Sequence, residues 1–241
     1  MCYLNLSGVR IDNLSGEEIE KKVKNFLENK KFNQIVTVNP EFIIKAQKDS
    51  KFKNAINSAD LNVADGVGIK FAFWRFQRNL KKRITGIDLM WNILRLAEER
   101  GNSIFLLTNK NGLSSWRETG IIIKKKFPLL KIKGLDTTCY NPEKEYKSKN
   151  IYNFDILFCN FGAPHQEKFI ANLKNKKTNI KLAVGVGGGF DFISGKIKRA
   201  PKLFRIFGME WLWRLILEPR YRIKKIYNAV IIFPIRILLN K

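Results

Sequence analysis

"DLNVADGVGI", Asp60 to Ile69, decides the fold. Asp60–Ala64 reads as a short strand, mostly apolar on both faces, and Gly66 and Gly68 then turn the chain into a helical pattern over about residues 67–80. The stretch before it repeats the arrangement, with "QIVTVN" (34–39) leading into a helical pattern over 40–57. Four further β-prone runs follow: "SIFLLT" (103–108), "LKIKG" (130–134), "FDILFCN" (154–160) and "KLAVGVG" (181–187). Helical patterns at about 87–100, 112–127 and 164–176 lie among them, and another starts near Ser15, where Glu18 completes a capping box. Strands and helices alternating in this way predict an α/β fold, a Rossmann-like parallel sheet covered by helices with right-handed crossovers.

In such a sheet, ligands sit beyond the carboxyl ends of the strands. The segments to examine are therefore "TVNPE" (37–41), "ADGVG" (64–68), "TNKNG" (108–112), "NFGAPHQE" (160–167) and "GVGGGFDF" (185–192), where glycines and polar residues collect. Asp65 stands out among them. It is a lone carboxylate in a glycine-bracketed loop of a chain with 45 Lys+Arg against 21 Asp+Glu. It can cap a helix, hold a ribose, bind a metal or take a proton.

The bulk composition narrows the partners. The 241 residues, 45% hydrophobic and 27% charged, suit a folded protein with a proper core. A formal net charge of +24 points to an anionic partner: a phosphorylated substrate, an acidic membrane surface or nucleic acid. Cys2, Cys139 and Cys159 stand far apart, which argues against a disulfide framework or a zinc site and suits a reducing compartment. No signal-peptide pattern opens the chain and no run reaches about 18 apolar residues, so a cytoplasmic protein is expected.

After Ser194 the character changes. Residues 196–241 carry twelve Lys+Arg against Glu210 and Glu218, interleaved with aromatic and aliphatic residues and broken at Pro219 and Pro234. This reads as a basic amphipathic appendage that lies on a membrane surface, following an α/β domain over 1–195. The plainer reading is a set of helices packed on the sheet with a solvated basic face.

Each motif also has a plain structural reading. "GVGGGF" (185–190) can cradle a phosphate with its backbone N–H groups, or be a close-packed turn. As a dinucleotide fingerprint it comes after the last strand rather than the first, with no acidic ribose partner at the expected distance. Glu167, in the first turn of a helix, suits the helix dipole without any function, whereas Gln166 can hydrogen-bond a sugar hydroxyl. His165 is the single histidine, and no G-x-S-x-G elbow accompanies it. No D-x-D occurs, which disfavours metal-dependent nucleotide-sugar chemistry of that kind. Thr85 and Asp88 form an ordinary capping pattern.

Taken together, "TVNPEFI" (37–43), "ADGVGI" (64–69), "RITGIDL" (83–89), "FGAPHQEKFI" (161–170), "GVGGGFDFISGKIKRAP" (185–201) and "MEWLWRLILEPRYR" (209–222) resemble the WecG/TagA/CpsF family of bacterial glycosyltransferases. They stand in the family order over nearly the whole chain, with His165 where Lys or Arg is expected. The resemblance implies inverting, metal-independent transfer of a sugar from a UDP donor to an undecaprenyl-diphosphate-linked amino sugar, without a cofactor. N-acetylmannosamine, its uronic acid and hexoses are all donors of the expected kind, and the product serves teichoic acid or surface polysaccharide assembly. Inversion needs one general base, and Asp65 is assigned that role. Thr37, Asn39 and Gln166 are candidates to hold the sugar. Arg83 is a candidate to stabilise the departing UDP in place of a metal. Gly185, Gly187 and Gly188 would face the diphosphate, and Asp191 would contact uridine or brace the turn. Arg214, Arg220 and Arg222 are candidates to close over the site. The tail would dock the enzyme on the cytoplasmic face of the membrane where its lipid acceptor resides, and its apolar residues also allow self-association.

Two other classes compete with this reading. An NAD(P)-dependent oxidoreductase shares the sheet but needs its fingerprint on the first β–α turn. A nucleic-acid-binding module suits the charge but leaves the polar strand-end loops unexplained, and no nucleic-acid partner is expected.

Overall fold

The computed structural model describes residues 3–138 and 151–239; Cys2, Cys139 and Lys241 lie outside them. All six predicted strands form one parallel sheet: β3 (Asn33–Val38), β4 (Leu61–Ala64), β5 (Ser103–Asn109), β6 (Lys131–Thr137), β7 (Ile156–Cys159) and β8 (Leu182–Gly185), in the order β4-β3-β8-β7-β5-β6. Alternate residues serve opposite faces, as parallel strands covered on both sides require. Ile35, Val63, Leu106, Phe158 and Val184 enter one apolar cluster. Val36, Val38 and Ala64 enter a second, and Leu107, Leu157, Cys159 and Ala183 a third.

The first face is covered by α1 (Gly16–Glu28), α5 (Gly86–Glu99) and α6 (Trp116–Lys126). The Ser15–Glu18 capping box that predicts α1 is present, and Ser115 with Glu118 forms another at α6. The predicted helix over 40–57 is two helices, α2 (Pro40–Ala46) and α3 (Ser50–Asn57). Asp49 divides them, because its carboxylate accepts from the Phe52 N–H at 3.0 Å and starts a new helix. Helix α4 (Val67–Arg75) ends before the expected residue 80. There Gln77 adopts φ 54° and the Arg78 N–H reaches back to Phe73 O at 2.9 Å, a left-handed helix stop. The opposite face carries α7 (His165–Leu173).

An antiparallel hairpin, β1 (Tyr3–Leu6) and β2 (Val9–Asp12), precedes the sheet. Leu4, Leu6, Val9 and Ile11 point into the second cluster, and Ser7 and Gly8 form the turn with φ 52° and 80°. Asp12 accepts from the Asn62 N–H at 2.8 Å, while the Asn62 amide donates to Arg10 O at 3.0 Å. The hairpin thereby occupies the Asn62 N–H on the open edge of β4.

After the short helix α8 (Gly189–Ile193), the chain forms α9 (Lys202–Ile206), α10 (Glu210–Leu217), α11 (Pro219–Tyr227), a π turn (Asn228–Ile232) and α12 (Phe233–Leu239). Pro219 opens α11, as the predicted break there requires. Pro234 causes no break. The π turn before it carries the Phe233 N–H to Asn228 O, a widened turn that accommodates the missing proline donor. Phe233 and Ile237 are buried in the second cluster beside α2 and α4, contributing about 1.5–3 kcal/mol each. The appendage is therefore anchored to the sheet domain by its last helix.

Candidate active site

The chain leaves β3 toward β4 on one side of the sheet and β5 toward β6 on the other. The crevice between these directions lies above β8 and β7, where ligands of such sheets bind. Two loops meet there, the acid loop after β4 and the glycine turn after β8.

Asp65 follows β4 directly. Its N–H donates to Val38 O at 2.8 Å, which carries the parallel ladder one residue further and sets Asp65 beside Val38 and Asn39. Gly66, at φ 84° and ψ 155°, makes the turn, a conformation that L side chains rarely adopt. Gly68 is a glycine for another reason: a Cβ there would stand 2.5 Å from Pro40 Cγ. The space at Gly68 is therefore taken up by Pro40. The Ile84 N–H donates to Ala64 O at 3.0 Å, so Arg83 enters the same neighbourhood.

Asp65 is partly buried, and burial pushes its carboxyl up to about 7. Arg83 and a hydrogen bond from Gly66 oppose the rise, whereas Glu210 and Asp88 add to it. A carboxyl at this value is matched to accepting a proton near neutrality. Arg83 is held by the appendage, its Nη2 donating to Arg205 O at 3.1 Å and its Nη1 lying 3.8 Å from Glu210 Oε2.

The glycine turn is pinned by Gln166. Its Oε1 accepts from the Gly162 N–H at 3.0 Å and the Gly187 N–H at 3.1 Å, and its Nε2 donates to Glu167 Oε1 at 2.7 Å. Gly185 leaves room for that amide, since a Cβ there would lie 2.5 Å from Gln166 Nε2. Gly187 instead supplies a left-handed turn, φ 48°. Glu167 is buried, so its carboxyl is pushed up to about 7, against the hydrogen bond from Gln166.

Asp191 braces the turn. It accepts from the Ser114 hydroxyl at 2.7 Å, and its carboxyl is raised by burial against Ser114 and Arg214. Arg214 lies over the Phe192 ring at 5.0 Å and beside Gly188, where a Cβ would come within 3.1 Å of its Nη2. Gly86 joins the two loops, because a Cβ there would stand 3.5 Å from Thr37 Oγ1 and 3.9 Å from Val186 O.

The candidate residues therefore sort unevenly. Asp65, Arg83 and Thr37 gather on the acid loop, and Gly187, Gly188, Asp191 and Arg214 on the glycine turn. Asn39 caps α2 through its Oδ1, which accepts from the Phe42 N–H at 3.1 Å. Arg222 pairs with Glu218 at 3.2 Å, and Arg220 is exposed. Sequence reading missed Glu210, Arg199 and Ser114. Glu210 carried one signal, an acid in an otherwise basic tail. A depression of about 490 Å³ lined by Trp116, Arg117, Gly134, Leu135 and Asp136 lies at edge strand β6, outside this set.

The site thus combines a near-neutral acid, a nearby arginine and a glycine turn at the carboxyl ends of parallel strands. The comparisons supply the family. The chain belongs to the WecG/TagA/CpsF family of glycosyl transferases, whose model matches residues 4–241. Among its relatives is the N-acetylglucosaminyldiphosphoundecaprenol N-acetyl-beta-D-mannosaminyltransferase of Bacillus subtilis (strain 168), 32% identical over 200 residues, 81% of this chain and 76% of that protein. The protein of the same name from Bacillus spizizenii is 32% identical over 195 residues, 80% of this chain and 75% of its own. That from Staphylococcus aureus (strain MRSA252) is 29% identical over 221 residues, 89% and 85%.

Proposed function

We propose that this glycosyltransferase moves an N-acetylmannosaminyl group from a UDP donor to N-acetylglucosaminyl-diphosphoundecaprenol, inverting the anomeric centre. The observation that carries the reading is Asp65, a carboxyl raised to about 7 beside Arg83 at the carboxyl end of β4. Asp65 takes the proton from the acceptor hydroxyl. That oxygen forms a bond to the anomeric carbon on the face opposite UDP, and the bond from carbon to the diphosphate oxygen breaks. UDP departs with the electron pair, its charge met by Arg83 and by Arg214 at the glycine turn. Protein cations fill the role that a metal takes in other nucleotide-sugar enzymes. The names of the relatives support the transferred sugar and the acceptor.

The acceptor is a lipid, and we place the enzyme at the cytoplasmic face of the membrane. Among the described residues, no helix is long and apolar enough to cross one. Leu203, Ile206, Phe207 and Ile216 are exposed on the appendage, with Lys202, Arg220, Lys224 and Arg236 exposed around them. Apolar side chains among cations suit an anionic interface, where each Lys or Arg contributes about 1 kcal/mol.

Release of UDP from a panel of UDP-sugars, with and without the N-acetylglucosaminyl-diphospholipid, tests the reaction. Acceptor-dependent release from UDP-N-acetylmannosamine is expected. Release confined to another UDP-sugar would overturn the donor assignment, and silence across the panel in protein that binds UDP would overturn the acceptor.

A further inference from the structure

Four of the contacts between the appendage and the acid loop are unequal in kind. Gly208 turns against Val67, where a Cβ would overlap Val67 Cγ1. Phe233 packs near Gly68, 3.5 Å from the position of an added Cβ. These two are apolar and act as anchors. The Arg205 carbonyl and the Glu210 carboxylate instead reach the Arg83 guanidinium itself.

We infer that Glu210 is a positioning residue, through which the C-terminal helices set how closely Arg83 approaches Asp65. The inference rests on the reading of Asp65 as base and goes beyond it, by giving the appendage a part in the proton transfer.

Glu210 is the first residue of α10 and is shared between two guanidinium groups. Its Oε2 lies 3.8 Å from Arg83 Nη1 and its Oε1 lies 3.8 Å from Arg199 Nε. Arg199 in turn places its Nη2 2.6 Å from Asp88 Oδ1, and the other Asp88 oxygen accepts from the Thr85 hydroxyl at 2.7 Å. Charges of alternating sign thus run from Asp65 through Arg83, Glu210 and Arg199 to Asp88. Exposure of 22% for the Arg83 side chain, 21% for Glu210 and 25% for Arg199 leaves the chain only partly screened by water. A pair in plain contact would serve better for anchoring alone. Glu210 stands instead at equal reach of both arginines, where it limits how far Arg83 swings toward Asp65.

The charged groups that act on Asp65 are Arg83, which lowers its proton affinity, and Glu210 and Asp88, which raise it. Removing the Glu210 charge withdraws one raising influence and frees Arg83 to approach. Both act in the same direction. Removing Arg199 uncovers the charges of Glu210 and Asp88 and acts in the opposite direction.

The experiment is the pH dependence of kcat/KM for acceptor-dependent UDP release by the full chain, in wild type, Glu210→Gln, Glu210→Asp and Arg199→Gln. Base catalysis gives an ascending limb near pH 7 in the wild type. That limb is expected to move down by roughly 0.5–1 pH unit in Glu210→Gln. It should move up in Arg199→Gln and stay near its wild-type position in Glu210→Asp. A merely structural role lowers activity evenly at every pH, so a limb fixed in place across the variants overturns the inference while sparing the base assignment. A wild-type profile lacking the limb overturns the base assignment and the inference together. Should Glu210→Gln fail to fold, the upward shift in Arg199→Gln decides alone, and its absence overturns the inference.

Discussion

The acid loop after β4 and the glycine turn after β8 lie side by side but are held by different forces. Asp65 and Arg83 sit in a chain of charges that ends in the appendage, at Glu210 and Arg205. The glycine turn is held mainly by hydrogen bonds from the sheet domain, through Gln166, Ser114 and Asp191. The loop assigned to proton transfer is thus coupled to the segment proposed to meet the membrane. The turn proposed to hold the donor meets that segment through Arg214 and through the Ile197 N–H, which donates to Asp191 O at 3.0 Å.

Their glycines divide alike in the two loops. Gly66 and Gly187 supply backbone conformations, and Gly68 and Gly185 supply space. Gly185→Ala should give the largest stability loss of the glycine turn. Its methyl group meets Gln166, a buried amide held from two sides, at a cost of about 1–3 kcal/mol read as a lowered unfolding midpoint. UDP affinity should fall with it, because Gln166 can no longer hold the Gly187 N–H. Gly187→Ala has open space around it and only φ 48° against it, so a loss of about 1 kcal/mol is expected. An equal loss at the two positions would remove the distinction between space and conformation.

The pH dependence of stability separates the loops further. Asp65 and Glu167 are raised from 3.8 and 4.5 in free carboxyls to about 7 in the fold. Between those values the folded state binds more protons than the unfolded chain. Stability from these groups is therefore full below about pH 4 and is lost as pH rises through 7. Asp65→Asn and Glu167→Gln should each flatten the decline in denaturant midpoint between pH 5 and pH 8. The larger effect is expected at Asp65, whose carboxyl is raised further from its free value than that of Glu167. An unchanged slope in both would contradict the assigned burial.

The smallest of these effects belongs to Asn39→Ala. Loss of the cap on α2 should cost about 1 kcal/mol, with kcat and KM near wild type if the Asn39 carbonyl serves the helix rather than the sugar. A raised KM for the donor would restore it to the sugar site.

Much of this architecture was legible in the amino-acid order. The six strands were visible because both faces of a covered parallel sheet are apolar, and the first helix because Ser15 and Glu18 announce it. The hairpin at Tyr3–Asp12 was missed although Leu4, Leu6, Val9 and Ile11 alternate around Ser7–Gly8. Short hairpins carry a weak periodic signal beside six longer runs. Strand order was not legible, since nothing local in β8 says that it pairs with both β3 and β7. Asp65 stood out from its loop, and Arg83 became a candidate only through the family resemblance. Glu210 was not found, because its partners stand more than ten residues away and meet it only when α10 docks. Gln166 was found as a polar residue, but its two loop contacts required Gly162 and Gly187 in space.

The most direct measurement compares Asp65→Asn with wild type in acceptor-dependent UDP release and in UDP binding, on the same folded preparations. The account predicts a fall in kcat of about 10²–10⁴-fold, with UDP affinity nearly unchanged because the glycine turn is intact. Near-normal turnover by Asp65→Asn would contradict it.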